Sequence, residues 1–69
     1  MLNLIEELIK LVESEETYPY LKFGAKFALD IESSDYTPKD ILDKAELSSS
    51  YQAEINKGIS VYNYLNRIQ

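Results

Sequence analysis

The sequence predicts an all-α protein, a small helical bundle, and three observations carry that prediction. Apolar residues recur at three- and four-residue spacing through most of the chain. Helix start signals, Thr37-Pro38 and Ser48, stand directly before two of the periodic stretches. The one run with β-propensity, Ile59-Ser60-Val61-Tyr62, has no second run to pair with.

Taking the elements in order, residues from Leu2 to about Glu13 read as an amphipathic helix. Leu4, Ile5, Leu8, Leu11 and Val12 share a face that Leu2 and Ile9 widen, and Glu6, Glu7, Lys10 and Glu13 hold the other side. An arc this wide suits closure of a tiny core; the alternative is that part of it is a dimer or partner surface. Ser14-Glu15-Glu16-Thr17-Tyr18-Pro19 is a polar connection with cap and proline signals. Tyr20, Phe23, Gly24, Phe27, Ala28 and Ile31 then fall on one stripe, read as core, with Gly24 and Ala28 small enough for a close helix crossing. Ser33-Ser34-Asp35 breaks the period.

A third helix starts at Thr37, where Pro38 supplies a pre-set φ and Asp40 completes a capping box. Ile41, Leu42 and Ala45 form its inner face, and Leu47 plugs the following turn. Ser48 caps the next helix, which buries Tyr51 and Ile55 and stops at Gly58 in left-handed conformation. Tyr62, Leu65 and Ile68 mark a last helix, for four or five in all.

Composition bounds the chemistry. With 69 residues the chain is expected to form a single domain, residues 1–69, with 1–14 as the N-terminal helix and 19–69 as the bundle. It contains neither cysteine nor histidine, which removes disulfides and the usual zinc ligand sets. Ser48-Ser49-Ser50 has no base at a suitable spacing and reads as cap and turn. Asp30, Glu32 and Asp35 lack the spacing of a calcium loop. No enzyme activity, metal or cofactor is expected. The start of the chain lacks the basic region and cleavage site of a signal peptide, and no apolar run matches a membrane span. The expectation is a cytoplasmic protein with no membrane partner.

Two short helices with their own caps and a tight turn between them follow the grammar of a helix-turn-helix. Thr37, Ile41, Lys44-Ala45, Leu47-Ser48, Ser50-Tyr51, Ile55 and Gly58 together resemble the lambda-repressor-like (Xre/Cro) DNA-binding family. Phe23 to Ile31 resembles that family's first helix and Tyr62 to Ile68 its fourth. The resemblance implies that the helix after Ser48 reads DNA. Ser49 and Ser50 would then face bases, Gln52 or Ala53 would lie near the groove, and Lys39, Lys57 and Lys44 would approach phosphates.

Several residues depart from the family's pattern. Leu42 stands where a small alanine is usual, Glu46 where the turn glycine is usual, and Pro38 where a polar residue often touches phosphate. No arginine lies between Thr37 and Gly58 to read guanine, and three lysines there face four acids, Asp40, Asp43, Glu46 and Glu54. The formal net charge of −5, from twelve acidic and seven basic residues, disfavours tight DNA binding by the chain alone. The expected role is transcriptional control, as a modulator (antirepressor) that binds the DNA-reading face of a helix-turn-helix repressor, a role that resembles that of the small modulators temperate phages encode beside their repressors. The expected contact residues are Lys39, Asp43, Glu46, Ser49, Ser50, Gln52, Ala53, Glu54 and Lys57. The alternatives are a DNA-binding repressor acting as a homodimer and a helical interaction module of other purpose.

Overall fold

The computed structural model describes residues 3–15 and 17–67. Among these it contains five α-helices and no strand: α1 (Leu4–Glu13), α2 (Pro19–Lys26), α3 (Ala28–Ser33), α4 (Pro38–Lys44) and α5 (Gln52–Arg67). A 3-10 turn, Ser49–Tyr51, leads into α5. The expected all-α bundle is therefore the fold.

Helix α1 starts at Leu4, later than the spacing predicts, because Asn3 caps it by accepting from the Ile5 and Glu6 amides at 3.1 and 3.2 Å. Its Leu4 and Leu8 enter the same apolar cluster as Phe23, Phe27, Ile31, Ile41, Leu42 and Ile55, while Ile5, Leu11 and Val12 pack against that cluster half-buried. Leu2, Glu16 and Ile68 lie outside the described residues.

The Tyr20-to-Ile31 stripe holds, but it is not one helix. Phe27, at φ −113° and ψ 22°, ends α2 and begins α3. Hydrogen bonds continue across the bend, from the Phe27 amide to the Phe23 carbonyl at 2.9 Å and from Ile31 to Phe27 at 2.8 Å. Phe23 and Phe27 sit with ring centroids 5.4 Å apart, both buried, so the aromatic stripe is core as its spacing predicts.

Gly58 corrects a second expectation. It does not stop a helix: α5 runs through it to Arg67, and no glycine in the described residues has positive φ. The physical reason is a helix crossing. A Cβ on Gly58 would stand 2.7 Å from the Ala25 amide nitrogen and 2.9 Å from the Gly24 Cα, and would overlap the Leu21 carbonyl oxygen. A Cβ on Gly24 would likewise overlap the Ile55 carbonyl oxygen. Helices α2 and α5 make the most extensive contact in the fold, and the two glycines set its distance. The close approach expected of Gly24 is present, with Gly58 as its partner.

Candidate helix-turn-helix face

Residues 37–58 form two helices joined by a tight turn. Thr37 and Asp40 make the expected capping box: the Asp40 amide donates to Thr37 Oγ1 at 3.2 Å and the Thr37 amide donates to Asp40 Oδ2 at 3.0 Å. That amide bond, with the Thr37 hydroxyl adding to it, holds the Asp40 carboxyl below the ordinary carboxylate range. Pro38 occupies the first turn, where its missing donor costs nothing.

The turn is a Schellman closure. The Leu47 amide donates to the Leu42 carbonyl at 2.9 Å and the Glu46 amide to the Asp43 carbonyl at 3.1 Å. This places Glu46 at φ 59°, the left-handed conformation that glycine adopts most easily. Leu42 is fully buried and Leu47 packs against the cluster, so both ends of the turn are pinned by apolar contact.

Ser48 caps as expected, accepting from the Ser50 amide at 3.3 Å, but what it caps is the 3-10 turn rather than α5 itself. The Ser48 and Ser50 hydroxyls are also 2.9 Å apart, so Ser50 is engaged locally. Ile55 is fully buried as expected. Tyr51 is not: it is 40% exposed and stacks on Tyr20, with centroids 4.0 Å apart and planes 4° from parallel. The 3-10 turn rotates Tyr51 away from the face it would hold in a continuous α-helix.

The expected contact residues share this region. Lys39, Asp43, Glu46, Ser49, Ser50, Ala53 and Lys57 are exposed, while Gln52 and Glu54 are half-buried. Their charges are partly satisfied within the chain. Lys57 Nζ lies 3.9 Å from Glu54 Oε1, and the Lys44 ammonium stands 5.4 Å from the centroid of the Tyr36 ring. Lys44 is thus drawn to an aromatic face of its own chain.

Sequence periodicity missed an aromatic cleft beside this face. Tyr18, Pro19, Tyr20, Leu21, Tyr51 and Glu54 line an open cavity of about 360 Å³. Burial, with the nearby Tyr51, raises the Tyr20 hydroxyl above its ordinary value. The Tyr-Pro-Tyr sequence at the start of α2 was the available signal, but its pairing with Tyr51 joins segments distant along the chain.

Among the described residues there is no metal-binding group of histidine, cysteine or carboxylates, and no helix long and apolar enough to cross a membrane. No curated protein and no solved structure matches the chain. The sequence profile of one family, described as an HTH-like domain, does match, over residues 3–68. That span takes in α1 as well as the two capped helices and the turn, and the chain belongs to the HTH-like domain family.

Proposed function

We propose that this protein is a transcriptional modulator that acts by binding the DNA-reading face of a helix-turn-helix repressor. The observation that carries this reading is Glu54. It stands in the first turn of α5, where the resemblance to lambda-repressor-like domains puts base-reading side chains, and there it favours the helix dipole but opposes phosphate. It also stands 3.9 Å from Lys57, the sole basic residue between Ser48 and Gly58. The stretch from Ser48 to Gly58, with one cation and one anion, has no net positive charge to offer a polyanion. Exposed Asp43 in α4 and Glu46 in the turn extend the same acidic character. Such a surface complements the basic face with which a repressor meets DNA, and occupying that face displaces the operator. The kinship to phage modulators rests on analogy of size, fold and charge.

The competing reading is a homodimeric repressor that binds DNA itself, favoured by the exposure of Lys39, Ser49 and Ser50. A band-shift assay separates the two. A helix-turn-helix repressor bound to its operator is released on adding this protein, which shifts no DNA by itself. A sequence-specific shift by this protein alone, steeper at low salt, sinks the modulator reading. Reversing charge with Glu54→Lys lowers repressor release by about tenfold and leaves or improves any direct DNA binding.

A further inference from the structure

The cleft between the start of α2 and the start of α5 is built from parts that folding alone does not require. Tyr18 enters α2 at φ 55°, a left-handed conformation unfavourable for an aromatic residue, and its side chain makes no cap hydrogen bond. It is 68% exposed. Pro19 fixes the next φ, so the chain is constrained directly after Tyr18. Tyr20 and Tyr51, stacked on each other, both line the cleft, and Glu54 follows Tyr51 by three positions. Backbone strain held beside an exposed aromatic group is a pattern found at binding sites.

Tyrosine faces are electron-rich and Glu54 adds a carboxylate, within a chain of net charge −5. We propose that this cleft accepts an arginine side chain from a basic protein partner. A guanidinium is flat enough to stack on a phenol ring while its forked N–H groups donate to a carboxylate. It is also weakly hydrated, so it surrenders less on entering a half-apolar cleft than a lysine ammonium does. The ion pair with Lys57 does not block it, because at 3.9 Å with the lysine 70% exposed that pair is loose and weak. The inference deepens the modulator reading and rests on it for the partner's being a protein; it names the side chain on the partner that is gripped.

The test is an NMR titration of the full chain with the capped tripeptide acetyl-Gly-Arg-Gly-amide, against the same peptide carrying neutral, isosteric citrulline. Saturable shifts confined to Tyr18, Tyr20, Tyr51 and Glu54 are expected with arginine and not with citrulline. Glu54→Gln weakens the binding by about fivefold, and Lys57→Ala, which frees the carboxylate, strengthens it. Both substitutions are at solvent-accessible positions, and the amide spectrum verifies that each variant is folded. Absent or scattered shifts overturn the inference. An equal response to citrulline also overturns it, and identifies an apolar groove instead. Repressor release in the band-shift assay with no arginine response removes the cleft but keeps the modulator. An arginine response in a protein that shifts DNA by itself removes the modulator but keeps the guanidinium site.

Discussion

Glu46 sits at φ 59° because the turn between α4 and α5 needs a left-handed residue after Ala45, and the closure it makes is the one glycine usually serves. An L-residue there costs about 1–2 kcal/mol, of which glycine's greater unfolded-state freedom takes back a part. Glu46→Gly is therefore expected to stabilise the protein by about 0.5–1 kcal/mol, seen as a higher urea midpoint at unchanged slope. An unchanged or lower midpoint would show that the Glu46 side chain contributes contacts that outweigh the strain. Asp40 makes the second residue-scale prediction. Its carboxyl is depressed in the folded state, so its contribution is fully present above the ordinary value of 3.8 and is lost as pH falls through the depressed one. Asp40→Asn is expected to lower the Tm by a constant amount at neutral pH, and the difference from the parent is expected to shrink below about pH 4. Both features were legible in the sequence, because the cap and the turn are closed by hydrogen bonds between residues three to five positions apart.

At the scale of elements, the governing feature is the crossing of α2 and α5 on Gly24 and Gly58. The atoms that a new Cβ would meet are backbone atoms, which cannot rotate aside as a side chain does. Gly58→Ala is expected to cost about 3 kcal/mol or more, although alanine is the better helix former. Circular dichroism melting is the check, and a gain in Tm would mean that the crossing is looser than these distances imply. The same feature explains why spacing alone ends the reading helix at Gly58 while the fold carries it on to Arg67. A glycine after a periodic run signals a stop equally with a crossing, and only the presence of Gly24 on the facing helix decides between them. The break at Phe27 was hidden for a related reason. Its stripe continues unbroken in the sequence, and the bend is visible only in φ and ψ.

For the whole molecule, burial ties α1 to the helix-turn-helix. Leu8 is fully buried in a cluster that also holds Ile41 of α4 and Ile55 of α5, so the N-terminal helix shares a core with the capped pair. Leu8→Ala is expected to cost about 2–5 kcal/mol. A protein this small commands about 3–10 kcal/mol in all, so the variant is expected to be partly unfolded at 37 °C by circular dichroism. A variant of near-parental stability would show that α1 is an appendage. Charge acts at this scale too. With an overall balance of −5, residues 37–58 carry four acids against three lysines rather than a basic stripe. That is why the proposed partner is a basic protein face rather than DNA.

The sequence by itself determined the helical class, the Thr37 capping box, the Ser48 cap, the turn at Glu46 and the apolar residues that fill the core. Each is written in spacing or in contacts between near neighbours, where local sterics and hydrogen bonds dominate. Tertiary structure alone decided that α5 passes through Gly58, that the stripe from Tyr20 to Ile31 bends at Phe27, and that Tyr51 leaves the core to stack on Tyr20. These depend on which segments meet across the fold. Backbone packed on backbone and ring stacked on ring leave no periodic mark in a chain of amino acids.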